Sequence, residues 1–434
     1  MSIDSCTLNM AIPKIEKQEP VVFDASIIQH QTNVPSEFIW PEHEKSCLES
    51  PELVIPPIDL GSFLSGDPSA VSKAFQLINE ACRKHGFFLI VNHGVDSGLI
   101  AKAHEYMDKF FGLSPAEKQR AQRKLGEHCG YTSSFTGRFS SKLPWKETLS
   151  FRYSDDDQLS NIVQEYFFNV MGEEFEDFGK VYQEYCEAMN TLALKIMELL
   201  GFSLGAGREY FKEFFKGNDS IMRLNNYPPC QQPHLTLGTG PHCDPTSLTI
   251  LHQDEVGGLQ VLVDEKWHFV RPDPQAFVVN IADTFMALSN GIFRSCLHRA
   301  VLNNKTVRKS IAFFLCPNMD KVVKLPNNLI DSNNPRRASS RPPHNRRRRS
   351  SLSTQSSVVA LQSIGSLRRQ QLGCPQSSVF LSPQSSSVLS PQSSSATVKD
   401  ILDYSESNQI KSIVLLFVVV LHKSGFREQF DIGN

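Results

Sequence analysis

Paired cysteines are the first thing missing. The chain has ten, spread from Cys6 to Cys374, and no two stand within three residues of each other. That excludes a C-x-x-C metal or redox pair and the dense framework of a small disulfide-stapled domain, and it suits reduced thiols in the cytoplasm. Long apolar runs are missing too. Residues 413–421 are nine apolar positions in a row, where a membrane span needs about 20, so no membrane association is expected. Residues 1–20 mix Asp, Lys and Glu with apolar positions and lack the apolar core of a secretory leader. Acids are absent from one stretch: residues 332–399 hold nine Arg and one Lys but no Asp or Glu. The net charge is −2 over all 434 residues and −2 over residues 400–434, so residues 1–331 carry −10. An acidic body and a strongly basic tail are two different objects.

Apolar residues make up 40% of the chain, enough for a sizeable core. Residues 58–64 read as a short strand and turn. Residues 69–85 read as an amphipathic helix, with Val71, Phe75, Ile78 and Cys82 at helical spacing, followed by a buried strand over 87–92. Further helices are predicted over 97–111 and 174–200. From Ile221 the pattern changes to short strands. Leu259, Val261 and Val263 alternate, Asp264-Glu265-Lys266 turns the chain into 267–270, and 277–281 and 310–316 are compact apolar runs. Strands at this spacing after a helical first half predict a mainly β fold with helices: a double-stranded β-helix (jelly-roll) core braced by N-terminal helices. Leu248, Ile250, Leu259, Val261 and Phe277 are expected to pack the barrel interior.

The expected organisation is an N-terminal arm over 1–50, loose and docking on the body, then a domain over 51–335. That domain divides into a helical part, 51–217, and a jelly-roll core, 218–335. The remainder, 336–434, carries Arg clusters and near-repeats such as Ser382-Pro383-Gln384-Ser385 and Ser390-Pro391-Gln392-Ser393. Such a segment cannot bury enough apolar surface to offset its ordering entropy, so disorder is expected there. No nucleic-acid partner is expected despite the charge, and the protein is expected to be a monomer.

His242-Cys243-Asp244 sets an imidazole and a carboxylate two residues apart, which on an extended chain points both to one face. Two ligands hold a transition metal weakly, and His298, 54 residues beyond Asp244, is a fitting third from a distant strand. Two imidazoles and a carboxylate on one side of a metal form the facial triad of non-haem iron(II) oxygenases, which keeps adjacent positions open. Ten residues after His298 comes Arg308-Lys309-Ser310. A guanidinium two residues from a hydroxyl on one strand face is a clamp for a carboxylate. His252 lies in an apolar strand without a ligand-like partner and reads as structural.

Together these residues resemble the pattern of the plant 2-oxoglutarate-dependent dioxygenases. Asn225-Asn226-Tyr227-Pro228-Pro229-Cys230 is similar to that family's N-x-Y-P-P-C stretch, whose tyrosine and asparagine help hold the cosubstrate; Asn225 and Tyr227 take that role by resemblance. Within the family the chain is similar to the gibberellin 20-oxidases, through Val34-Pro35-Ser36-Glu37-Phe38-Ile39-Trp40-Pro41, Leu143-Pro144-Trp145-Lys146-Glu147-Thr148 and Leu235-Thr236-Leu237-Gly238-Thr239-Gly240-Pro241-His242. The resemblance implies Fe(II) on His242, Asp244 and His298. It also implies 2-oxoglutarate gripped by Arg308 and Ser310, stimulation by ascorbate, and oxidation of C-20 of gibberellin precursors to C19 gibberellins. The Leu143–Thr148 block is tied in that family to the substrate, and Trp145, Lys146 and Thr148 offer an aromatic plate, a cation and a hydroxyl that suit a carboxylated diterpenoid.

The residues leave two alternatives open: a related dioxygenase acting on another substrate, such as a flavonoid, or a product without turnover. The second arises because family members continue past the equivalent of Pro335 with an aromatic segment and a terminal helix beside the barrel mouth. Here Arg- and Ser-rich sequence stands in that place, which reads as a retained intron, a frameshift or a fused gene.

Overall fold

Short runs in which apolar and other residues alternate make strands with two different faces. In this computed structural model, which describes residues 23–45, 50–124, 127–133, 142–326 and 329–330, twelve strands form two sheets. In chain order they are β1 (Pro57–Asp59), β2 (Phe87–Val91), β3 (Gly130–Ser133), β4 (Glu147–Ser154), β5 (Asp219–Tyr227) and β6 (Thr239–His242), then β7 (Leu248–Gln253), β8 (Leu259–Val263), β9 (Lys266–Phe269), β10 (Phe277–Ile281), β11 (His298–Ala300) and β12 (Arg308–Leu315). The major sheet runs β1-β2-β10-β7-β12-β5-β4-β3 and the minor sheet β6-β11-β8-β9. Of the eight strands β5 to β12, β5, β7, β10 and β12 lie in the major sheet and β6, β8, β9 and β11 in the minor. That is the winding of a double-stranded β-helix, as the sequence predicts. The basic tail and the first 22 residues lie outside the described residues.

Helices cover the outer face of the major sheet. Pro68–Lys84 starts with Asp67 accepting from the Ala70 amide and proline in its first turn, both favourable where helix N–H groups lack partners. Glu176–Ser203 is the long brace. Its Phe178 and Tyr182 rings stack with Phe167, and the Tyr182 hydroxyl donates to Ala103 O at 2.6 Å. Leu149, Phe151, Met222, Leu224, Ile311 and Phe313 of the sheet join these helices in one buried core. Each such side chain contributes about 1.5–3 kcal/mol on burial.

Four expectations need correction. Residues 60–64, read as a turn, form a helix (Leu60–Ser65) because Asp59 caps it by accepting from Ser62 N at 2.9 Å. The segment read as helical contains β3 and β4, which extend the major sheet past β5. Leu248, Ile250 and Phe277 do not face the barrel interior. Thr249 and Asn280 point inward to Asp244, so residues at odd offsets from them on the same strands turn outward. Residues 23–45 are packed rather than loose. Phe23, Ile28, Val34 and Phe38 are buried with Trp145, Tyr227, Cys230 and Leu302. Among the described residues no helix is long and apolar enough to cross a membrane.

Candidate metal centre

Strand pairing brings the two histidines together. β11 runs antiparallel to β6 with His298 opposite His242, and their ring centroids are 4.2 Å apart. Asp244 follows β6 by two residues. Its Oδ1 lies 3.5 Å from His242 Nε2 and its Oδ2 3.6 Å from His298 Nε2, and one ligand atom from each of the three falls within 4.8 Å of the others. The tautomers follow from the other ring nitrogens. His242 Nδ1 sits 2.8 Å from Gly240 O and His298 Nδ1 3.3 Å from Cys296 O. A carbonyl only accepts, so each Nδ1 carries the hydrogen and each Nε2 presents its lone pair to the shared point.

Two residues that sequence reasoning missed fix the carboxylate. Thr249 Oγ1 donates to Asp244 Oδ2 at 2.7 Å and Asn280 Nδ2 donates to it at 3.2 Å. The available signal was Asn280 itself, a lone amide in the apolar strand Phe277-Val278-Val279-Asn280-Ile281. Asp244 and His298 are buried and His242 nearly so. Lone pairs and a negative charge converging out of water need a cation, and two imidazoles with one carboxylate fit iron(II).

The expected clamp lies on β12. Arg308 is buried, its Nη2 donates to Gln253 Oε1 at 3.2 Å, and its guanidinium lies 4.9 Å over the Tyr227 ring. Its Nε, also buried, has no hydrogen-bond partner among the described residues. A buried donor left unmade costs about 1–3 kcal/mol, more for a charged group, so the site fits an incoming carboxylate. Gly258, at φ 113, makes the room, since a Cβ there would lie 2.7 Å from Val301 O and 3.0 Å from Arg308 Cδ. Asn225 Nδ2 donates to Ser310 Oγ at 3.3 Å, and Tyr227 Oη lies 3.3 Å from Thr239 Oγ1. The structure thus brings Arg308, Ser310, Asn225 and Tyr227 into one polar patch, with Gln253 as a further member that the sequence did not disclose.

The block around Trp145 divides. Trp145 is 1% exposed, with the Phe23 and Phe38 rings edge-on at 5.6 and 5.3 Å, so it is a packing residue and not an open plate. Lys146 Nζ donates to Thr239 Oγ1 at 2.9 Å, and Thr148 Oγ1 is 2.8 Å from Thr132 Oγ1. Glu147 faces the other way. It takes Lys118 Nζ at 2.7 Å, Tyr131 Oη at 2.5 Å and Asn226 Nδ2 at 3.1 Å in a buried network; burial, and then the Glu147 charge, push the Tyr131 phenol up. His252 is held apart from the centre. Its Nε2 donates to Pro274 O at 3.0 Å and its Nδ1 accepts from His104 Nε2 at 2.8 Å. Burial pushes His104 down to about 4 and lowers His252 as well.

Residues 218–317 match the 2OG-Fe(II) oxygenase superfamily, and residues 55–174 match the family described as non-haem dioxygenase in morphine synthesis N-terminal. The chain is 61% identical over 321 residues to Gibberellin 20 oxidase 2 of Arabidopsis thaliana, covering 74% of this chain and 84% of that one. It is 59% identical over 316 residues to Gibberellin 20 oxidase 1-B of Triticum aestivum, covering 73% and 86%. Among solved structures, JOX2 in complex with 2OG, Fe and JA superposes with a TM-score of 0.62 at 31% identity, over 73% of this chain and 89% of that one. The 2-oxoglutarate complex of dioxygenase for auxin oxidation 1 from Arabidopsis thaliana gives 0.56 at 29% identity, over 65% and 100%.

Proposed function

The chain belongs to the gibberellin 20 oxidase family of the 2OG-Fe(II) oxygenases, and from that premise we propose that it oxidises C-20 of gibberellin precursors with O2 and 2-oxoglutarate, giving succinate, carbon dioxide and C19 gibberellins. It is an oxidoreductase that uses Fe(II) and 2-oxoglutarate, with ascorbate keeping the iron reduced. The observation that carries the reading is the buried convergence of His242, Asp244 and His298 on the inner face that also carries the unpartnered Nε of Arg308.

His242, Asp244 and His298 would hold the iron, and iron with 2-oxoglutarate supplies the activation of dioxygen needed to attack an unactivated C–H bond. The chain's own part is orientation. Gly240 and Cys296 carbonyls fix both imidazole tautomers, and Thr249 and Asn280 keep the Asp244 carboxylate aligned. Arg308 grips the far carboxylate of 2-oxoglutarate with Ser310 beside it, Gln253 holds the guanidinium plane, and Asn225 and Tyr227 shape the cosubstrate's seat. Lys146 and Thr148 present a cation and a hydroxyl towards a carboxylated diterpenoid, while Trp145 positions them by its packing. The seven cysteines of the described residues are free thiols, which supports a cytoplasmic enzyme; we take it to work as a monomer.

Purified full-length protein, loaded with iron and given gibberellin precursors or flavanones, tests this by succinate release and product mass. C19 gibberellins with matching succinate are expected. Turnover of flavanones alone contradicts the substrate, and folded, iron-loaded protein that forms no succinate with either contradicts the enzyme.

A further inference from the structure

Three strands of the major sheet end on one line. β5 closes at Tyr227, before two prolines that cannot extend a ladder, while β12 opens at Arg308 and β4 at Glu147. Register sets Glu147 opposite Asn226, and Asn226 opposite Lys309, across these ends. The rows on either side belong to the cosubstrate seat: Tyr227 opposite Arg308 beyond, and Asn225 opposite Ser310 before. Successive side chains on a strand point to opposite faces, so Glu147, Asn226 and Lys309 lie on the outer face, directly behind the seat. A pair at the end of a ladder has paired neighbours on one side only and opens more readily than one within it. Tyr227 and Arg308 are such a pair, and the ladder alone holds them weakly.

The outer row supplies the hold. Glu147 is buried; its Oε1 accepts from Lys118 Nζ at 2.7 Å and from Tyr131 Oη at 2.5 Å, and its Oε2 accepts from Asn226 Nδ2 at 3.1 Å. Lys118, also buried, comes from the Pro115–Gln119 helix, which Ser114 and Glu117 start with a reciprocal capping box. Its Nζ donates as well to Phe111 O at 3.3 Å, at the end of the Ser97–Phe111 helix. Lys309, at the other end of the row, pairs with Asp108 of that same helix. Side chains thus tie the ends of β4, β5 and β12 to helices on the outer face. The Glu147 carboxylate is filled by donors from the protein, which suits a brace, and a buried charge held by several donors resists displacement.

We propose that Glu147 is a positioning residue for the 2-oxoglutarate seat. With Lys118 and Asn226 it holds the ends of β5 and β12 from behind, so that Tyr227 stays under the Arg308 guanidinium and Asn225 beside Ser310. The inference rests on the assignment of that seat above. The metal ligands stand on β6 and β11 of the minor sheet or, as Asp244, just after β6, so loss of the brace falls on the cosubstrate and spares the iron.

The test titrates anaerobic, iron-loaded protein with 2-oxoglutarate by calorimetry, and metal-free protein with Fe(II). Wild type, Glu147→Gln and Asn226→Leu are compared, each well below its own unfolding midpoint. Glu147→Gln removes the charge at almost unchanged size, and Asn226→Leu cuts the tie to β5 while the Lys118–Glu147 pair stays. Both variants should bind 2-oxoglutarate roughly tenfold more weakly and Fe(II) within about twofold of wild type, since small displacements of a seat residue cost much of its hold. In turnover the KM for 2-oxoglutarate should rise while kcat at saturating cosubstrate is kept, the mark of lost uniform binding. A brace for stability alone would lower the midpoint and leave both affinities as they were, and that result overturns the inference. So does a loss of Fe(II) affinity with 2-oxoglutarate binding intact. Should Glu147→Gln not fold, the double variant Lys118→Met with Glu147→Gln, which buries neither charge, carries the same comparison beside Asn226→Leu. Wild-type protein that takes up Fe(II) but no 2-oxoglutarate contradicts the cosubstrate reading itself, whatever the variants do.

Discussion

Asn280 does for Asp244 what a valine could not: its amide fills a carboxylate lone pair inside an apolar strand. Removing such support typically lowers metal affinity 10- to 100-fold, so Asn280→Val and Thr249→Val should each weaken Co(II) or Fe(II) binding by about that factor in a titration, with the fold intact. His298→Ala should abolish iron-dependent succinate formation without unfolding the chain, and surviving activity would show that the third ligand lies elsewhere. Arg308→Lys keeps the charge but loses the fork, and its KM for 2-oxoglutarate should rise roughly tenfold or more. The clustering of His242, Asp244 and His298 was legible in the sequence, because H-x-D spacing and a distant histidine are chemistry-bearing types at a spacing that strands explain. Asn280 and Thr249 were not, since their meaning depends on which strand β10 and β7 pair with. Trp145 was misread for the same kind of reason: the rings that bury it come from residues 23–38, over a hundred positions earlier.

At the scale of elements, β4 is the informative miss. Leu149, Phe151 and Tyr153 alternate as a strand should, yet the inward face carries Thr148, Ser150 and Arg152, and the strand falls inside the segment 51–217 that was read as helical. The strand matters because Glu147 at its start ties the Pro115–Gln119 helix, β3 and β5 through Lys118, Tyr131 and Asn226. Deleting one partner of a buried ion pair strands the other charge, at about 3–5 kcal/mol. Glu147→Ala should therefore lower denaturant stability by about that much, and a loss under 1 kcal/mol would mean that Lys118 finds water or another acceptor. The His104–His252 pair between the Ser97–Phe111 helix and β7 makes a pH-dependent contribution. Both groups have folded values below the unfolded value of about 6.5, His104 near 4. The unfolded chain thus binds more protons in that window, so the contribution is complete above about pH 7 and is lost as pH falls from about 6.5 towards 4. Unfolding midpoints followed across that range should drop more steeply in the wild type than in His104→Phe.

The described residues form a barrel whose two sheets each bring something to one point: imidazoles from the minor sheet, and from the major sheet the residues that support Asp244 and an arginine whose buried Nε has no hydrogen-bond partner among the described residues. The fold class was legible because strands after helices have few packing solutions, whereas the sidedness of Leu248, Ile250 and Phe277 required the register to be known. The central claim is that His242, Asp244 and His298 share one ferrous ion beside a cosubstrate held by Arg308. Its most direct test is an anaerobic titration of the full chain with Fe(II) and 2-oxoglutarate, followed by visible absorption. The account predicts one ion per chain and a charge-transfer band that needs both metal and cosubstrate, is absent in Asp244→Ala, and requires more 2-oxoglutarate in Arg308→Lys. A band of undiminished strength in Asp244→Ala, or iron that binds without 2-oxoglutarate ever reaching it, would contradict the account.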